Sequence, residues 1–465
     1  MYIRVKIQLA LILIVIITSI TPTVFAQSNL TVPVPNPAQL AWQNAELVAV
    51  FHYDLHVFDG KKYVQRENRI TPVPDYNIFN PEQLDTDQWV KSAKDMGAKI
   101  AILTATHETG FAIYQSDVNP YSLKALKWRD GKGDIVGDFV ESCRKYGIEP
   151  GIYIGIRWNS FYGIHDFKVQ GEGGFSKNRQ EHYNRMCEGM VEELTSKYGD
   201  LAIIWFDGGA HGPKQGGPDV QGIVERNQPN AIFYHNLERA DIRWGGSESG
   251  TVPYPCWGTY PAPSWFANRG DSIGFRPIKY GDPDGDYFMP AMSDAPLRGY
   301  DGRHEWFWEP GDEDHIFPLE NLMHMYENSV GHNSTLILGI TPDDNGLVPV
   351  KDANRMKEFG DEVKRIYTSP IAETSGTGKR LMLKLEKGEV INHVVLQEDI
   401  RFGERIRAFV LEGKASGKWK EIYNGSSIGH KHIIVLEDME VDGLRLMIKE
   451  SKGEPIIQVF KAYLN

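Results

Sequence analysis

The sequence predicts an α/β protein, a (β/α)8-like barrel followed by a C-terminal β-sandwich. Three observations predict it. Apolar runs too continuous for half-exposed strands alternate with amphipathic helical patterns. That alternation repeats often enough to favour a closed parallel barrel over an open sheet. Beyond residue 377 the texture changes to short alternating runs separated by turns, with no long helical pattern.

A leader comes first. Arg4 and Lys6 precede an apolar run from Leu9 to Ile20, and Val24-Phe25-Ala26 offers a small-residue cleavage site before Gln27. This is the pattern of a signal peptide over residues 1–26. Thr18, Ser19, Thr21 and Pro22 interrupt the run too early for a membrane anchor. The mature chain is therefore expected to be secreted or periplasmic and free of the membrane. Loss of the leader removes two basic and no acidic residues, so the formal charge moves from −12 to −14, with 48 basic against 62 acidic side chains. Such a chain is a poor partner for nucleic acid. Nothing in the sequence points to a particular oligomeric state.

The barrel is expected over residues 27–369. "ELVAVFHYD" (46–54) reads as a strand, and "DTDQWVKSAKDMG" (85–97) as a helix stopped by glycine. The pair "AKIAILTATH" (98–107) and "GDIVGDFVESCRKYG" (133–147) repeats the unit, as do "EPGIYIGI" (149–156) and a helix near 185–198. "LAIIWFD" (201–207), the helical 219–229 and "AIFYHN" (231–236) continue it. Residues 251–316, rich in proline, glycine and aromatics, read as long loops at the barrel mouth. A helix from about 319 to 329, the strand "STLILGI" (334–340) and a helix near 351–367 complete the barrel, and residues 370–465 form the sandwich. Three cysteines are too few for a disulfide scaffold. Cys143 and Cys187 fall on the apolar faces of helices and read as core thiols, whereas Cys256 matches no pattern.

Chemistry in a parallel barrel gathers where strands end. His52 ends the first strand, His107 and Glu108 the second, and Asp207 the fourth, at the break between "IIWF" and a glycine-rich loop. Asp207 reads equally as a carboxylate at a catalytic mouth or as the cap of the turn that follows. Arg243 and Glu248 follow the fifth strand. Carboxylates from different strand ends, with histidine, arginine and many tryptophans nearby, suit sugar chemistry: aromatic faces stack on sugar C–H surfaces while charged groups fix hydroxyls. Glycoside hydrolysis needs one carboxylate as nucleophile or base and a second carboxyl as proton donor. His52 and His56, four apart, name no third ligand, so no metal is expected, and no cofactor is needed. Trp306 and Trp308 in "EWFWEPG" read as packing before sugar platforms, and Glu305 as a reserve proton donor.

The stretch 79–156 and the blocks "IIWFDGG" (203–209), "DIRWGGSESG" (241–250) and "ENSVGHNSTLILGITPDDNGL" (327–347) resemble, in order, the α-L-fucosidases of glycoside hydrolase family 29. The resemblance covers almost the whole barrel. It implies that Asp207 is the nucleophile and Glu248 the acid/base of the subfamily acting on branched, internally linked fucose. It also implies that His52, His107, Glu108, Trp158, Arg243 and Asp294 bind substrate, and that fucosylated oligosaccharides are the partners. The C-terminal sandwich resembles galactose-binding-like domains. The chain departs from the family pattern at several neighbours. Thr106-His107-Glu108 stands where Lys-His-His is usual, and His52-Tyr53-Asp54 where His-Trp-Gly is usual. Ser247 replaces the asparagine before the acid/base, and Met292 the glutamate of Pro-Ala-Glu-Cys-Asp. A carboxylate at 108 only accepts hydrogen bonds, unlike an imidazole. The altered neighbours imply weakened fucose recognition or a shift towards galactosylated glycans. A glycan-binding protein with vestigial catalysis is the remaining alternative.

Overall fold

The computed structural model describes residues 32–266, 272–303 and 306–465. The expected leader and Glu305 lie outside the described residues. Eight parallel strands form one sheet: β1 Leu47–Phe51, β2 Ile100–Thr106, β3 Glu149–Ile154, β4 Ile203–Ala210, β5 Ile232–Asn236, β6 Arg243–Trp244, β7 Ala291–Pro296 and β8 Ser334–Ile340. Their order is β5-β4-β3-β2-β1-β8-β7-β6. Each strand therefore lies beside its neighbour in the chain, and a single seam separates β5 from β6. Asp241 bridges that seam, its N–H donating to the Phe233 carbonyl at 3.1 Å and its carboxylate accepting from the Phe233 N–H at 2.7 Å. The barrel is all but closed.

The sequence forms these elements for identifiable reasons. All residues of β1, β2, β5, β7 and β8 are buried, as expected of parallel strands covered on both faces. Val48, Val50, Ile100, Ile102, Ile203, Ile232 and Ile337 fill the barrel interior, and Trp42 of the helix Pro37–Ala45 joins the same cluster. Alternate residues of the same strands, Ala49, Phe51, Ala101 and Leu103 among them, belong to the larger cluster shared with the outer helices. Asp85 caps the helix Thr86–Met96 through the Gln88 N–H, and Gly97 ends it at φ 99°. Asp134 and Gly147 do the same for Ile135–Tyr146.

The structure corrects two readings. The helix expected near 185–198 begins much earlier, spanning Gly173–Lys197. The stretch expected as loops, 251–316, contains the barrel strand β7 and the helix Ser272–Tyr280. β7 reads Ala-Met-Ser-Asp-Ala-Pro and β6 has two residues, so neither carries the apolar run that marks a buried strand.

The C-terminal part is one continuous antiparallel sheet of β9 Ala372–Thr377, β10 Arg380–Glu398, β11 Ile406–Ala415, β12 Lys418–Gly425, β13 His432–Ser451 and β14 Ile456–Tyr463. The order is β9-β14-β10-β13-β11-β12. The long strands β10 and β13 shift register at Lys384/Glu389 and Ile391/His393, and such bulges bend and twist a strand. Leu383, Val394, Leu396, Phe409, Leu444 and Phe460 make its core. Its junction with the barrel is polar. Glu404 accepts from the Gly258 N–H at 2.8 Å and from Asn333 Nδ2 at 2.6 Å, and Asn333 Oδ1 accepts from the His430 N–H at 2.7 Å.

Candidate active site

At the C-terminal ends of the barrel strands lies a small hollow, at the face where parallel barrels gather their chemistry. Its walls come from many parts of the chain. His52 follows β1, His107 and Glu108 follow β2, Asp207 stands in β4, Glu248 follows β6 and Asp294 lies in β7. Tyr63, Gln65, Arg69, Tyr153, Trp205 and Trp306 complete the lining.

β4 does not stop at Asp207. Trp205 pairs with Tyr234 and Ala210 with Asn236, with a register shift between them. Gly208 and Gly209 make that shift at φ 65° and 84°, in the left-handed region that favours glycine. A Cβ on Gly209 would also lie 2.8 Å from the Phe266 ring. The carboxylate is thus lifted out of the ladder into the hollow. It accepts no backbone N–H among the described residues, so the turn-capping alternative does not describe it.

Two histidines sit beneath. His52 and His107 are 5 % and 7 % exposed, and their rings lie 5.4 Å apart, edge to face. His107 stacks on Tyr153 with ring centroids 5.0 Å apart. Burial holds His52 down to about 3. It holds His107 well below the usual imidazole range too, helped by the nearness of His52 and Arg69. Both rings are therefore neutral at ordinary pH. Neither nitrogen of His52, nor His107 Nδ1, nor Trp205 Nε1 has a hydrogen-bond partner among the described residues. Buried polar atoms without partners are costly and point to a ligand.

Carboxylates crowd the other wall. Burial pushes Asp294 well above the carboxylate range, and the charges of Glu248 and Asp207 push it further, although Trp244 Nε1 donates to its Oδ1 at 3.0 Å. Like charges sharing one hollow do not all ionise, and Asp294 is driven towards its protonated form. Trp306 Nε1 donates to Glu248 Oε2 at 3.4 Å, and its ring lies 5.0 Å from that of His52. Among the described residues no group of three or more His, Cys, Asp or Glu is placed to hold a metal ion.

A strand-end hollow of carboxylates, neutral histidines and tryptophans is equipped to hold a polyol and act on it. Comparison with known proteins points the same way. The family model for alpha-L-fucosidase matches residues 39–245. A solved structure of a candidate alpha-L-fucosidase from Bacteroides thetaiotaomicron is 59 % identical, covering 93 % of this chain and 100 % of that one, with a TM-score of 0.91. The chain belongs to the α-L-fucosidase family. A glycoside hydrolase 29 family member from a rumen bacterium is 27 % identical, with a TM-score of 0.78 over 93 % of this chain and 78 % of its own. Alpha-L-fucosidase 1 of Arabidopsis thaliana is 27 % identical over 93 % of this chain and 88 % of its own length. The protein is a glycoside hydrolase.

Within this α-L-fucosidase-family barrel, the structure gathers six of the eight expected residues into the hollow: His52, His107, Glu108, Asp207, Glu248 and Asp294. Arg243 and Trp158 do not line it. Arg243 is fully buried, donating to the carbonyls of Ile278 and Met289 and to Cys256 Sγ. It is a structural cation, and Cys256, which matched no pattern, is its partner. Trp158 lies one layer back, its ring 4.9 Å from the Arg69 guanidinium. Asp54 and Met292, two of the changed neighbours, also lie off the hollow. Asp54 caps the short helix Leu55–Phe58 and accepts from the Thr109 hydroxyl and N–H, and Met292 packs in the barrel interior. Glu108 alone of those changes meets the hollow, and both its oxygens are engaged, by Arg69 Nε at 2.6 Å and Tyr63 OH at 2.7 Å. Sequence reasoning missed Arg69 and Tyr63. They flank the short helix Gln65–Asn68, away from any strand end, in a segment ("KKYVQRENRI") that reads as a solvated loop.

Proposed function

We propose that this protein is an exported, retaining exo-glycosidase that releases terminal α-L-fucose from glycans. What carries the reading is that Asp207 and Glu248, from β4 and the loop after β6, line one hollow with two neutral histidines. The Asp207 carboxylate attacks the anomeric carbon and forms a glycosyl ester as the glycosidic C–O bond breaks. Glu248, protonated at the start, gives its proton to the departing oxygen. Glu248, now a carboxylate, takes a proton from water, whose oxygen attacks the same carbon and breaks the ester, freeing Asp207. Two inversions give net retention. His52 and His107, neutral and with unpartnered nitrogens, hold ring hydroxyls, and Asp294 offers a carboxyl proton to another.

The test is proton NMR of the first-formed sugar from an aryl α-L-fucoside. The α anomer is expected first; the β anomer as first product would end the two-step mechanism. A second reading, a shift towards galactosyl or composite fucosyl-galactose glycans, draws on Glu108, the altered neighbour that does reach the hollow. Comparing aryl fucosides with aryl galactosides separates the two, with the larger kcat/KM naming the sugar.

A further inference from the structure

Among the described residues lining the hollow, Arg69 is the single permanent cation, facing a wall that holds Glu108, Asp207, Glu248 and Asp294. Its guanidinium is held from two sides. Nε donates to Glu108 Oε1 at 2.6 Å, and the Trp158 ring lies 4.9 Å from its carbon. Tyr63 OH, donating to the other oxygen of Glu108, fixes the carboxylate in turn. The Glu108 side chain is 4 % exposed and that of Arg69 26 %. Nε is thus committed, while the two terminal amino groups have no acceptor among the described residues. Four N–H donors of a planar fork remain beside the nucleophile.

The pair also solves a problem. A loose arginine near Asp207 would form a direct ion pair with it and mask the attacking oxygen. A buried carboxylate holding Nε ties the guanidinium to Glu108 instead. Burial pushes the Glu108 carboxyl up while Arg69 pulls it down, the mutual dependence expected of a partly buried ion pair.

We propose that Arg69 binds substrate, its two amino groups donating to hydroxyl oxygens of the sugar beside Asp207, and that Glu108 and Trp158 are positioning residues acting on the sugar only through Arg69. This rests on the reading that the sugar occupies the hollow. It assigns Glu108 and Trp158, which the sequence suggests as sugar contacts, to holding Arg69 instead.

The experiment is a double-mutant cycle of Arg69→Ala and Glu108→Gln, read as kcat and KM on whichever aryl glycoside the wild type turns over best. Affinity for the free sugar is measured alongside by calorimetry on the same variants carrying Asp207→Ala. Arg69→Ala is expected to cost about 10- to 100-fold in kcat/KM, the worth of hydrogen bonds from a charged group, with a matching loss of sugar affinity. Glu108→Gln should cost less, and the double variant no more than Arg69→Ala alone. Added guanidinium should restore part of the rate of Arg69→Ala and of the double variant. Arg69→Lys, which keeps charge but loses the fork, should stay impaired. Multiplicative losses would overturn the proposal, since Glu108 would then act on the sugar by itself. Wild-type sugar affinity in Arg69→Ala would overturn it too. The Proposed function fails separately: turnover surviving Asp207→Ala removes the double displacement, while the coupling between positions 69 and 108 remains readable in sugar affinity.

Discussion

The barrel mouth and the junction with the C-terminal sheet both bury polar and ionisable side chains, and they treat them oppositely. At the junction His432 uses both ring nitrogens, Nδ1 on the Gly331 carbonyl at 2.9 Å and Nε2 on Tyr423 OH at 3.0 Å. Glu398 accepts from three backbone N–H groups, of Arg405, Ile406 and Gly429, at 2.8 to 3.0 Å. At the mouth His52 is as deeply buried and uses neither nitrogen within the protein. A saturated buried network specifies how two parts meet, whereas an unsaturated one waits for a partner. Equal burial, then, does not mean equal purpose: the ring of His432 is spent inside the protein and that of His52 is not.

The largest expected effect breaks the mouth alone. Asp207→Ala should lower kcat by roughly 10⁴- to 10⁶-fold, the range for removing one member of a nucleophilic constellation, while the thermal midpoint stays near wild type because the side chain makes no hydrogen bond within the described protein. Calorimetry beside a rate assay checks both halves. Glu248→Gln should cost about 10²- to 10⁴-fold, the worth of a general acid, and less on substrates with acidic leaving groups that need no proton.

Two histidine replacements sharpen the contrast. His432→Phe strands the Gly331 carbonyl and the Tyr423 hydroxyl, and should destabilise by about 1–3 kcal/mol without changing turnover. His52→Phe should do the reverse, losing activity with stability unchanged or raised, because an apolar ring replaces a buried polar group that had no partner in the protein. Urea unfolding and aryl-glycoside kinetics on both variants would reveal any failure of this crossing pattern.

The last contrast is in pH. His52 falls to about 3 in the folded protein from about 6.5 unfolded, so its contribution is present above pH 6.5 and lost as pH falls towards 3. Glu398 rises to about 7 through burial, so it opposes folding increasingly as pH climbs from about 4.5 to 7. His52→Phe should flatten the acid side of the stability profile and Glu398→Gln the neutral side, each by at most about 1.4 kcal/mol per pH unit.

Much of this was legible in the sequence, and the exceptions are physical. β1, β2 and β8 announce themselves because strands buried on both faces must be apolar throughout. Asp207 and Glu248 are readable from blocks that resemble a known family. β6 and β7 are not, since two residues, or a strand carrying Ser293 and Asp294, give no apolar run. Arg243 misleads for a related reason. Successive strand residues face opposite sides, so Trp244 reaches Asp294 at the mouth while Arg243 beside it turns to the carbonyls of Ile278 and Met289. Arg69 escapes because its value comes from Glu108 and Trp158, 39 and 89 positions away, and such a triad has no local signature.

The way β4 carries its carboxylate has one more consequence. Because ladder bonds grip the strand both before and after the glycine pair, the Asp207 carboxylate is moored at two points to the barrel sheet. The surrounding loops can be lengthened, shortened or exchanged without dragging that anchor along. Descendants of this scaffold are therefore free to change which sugar they admit while Asp207 stays where it is.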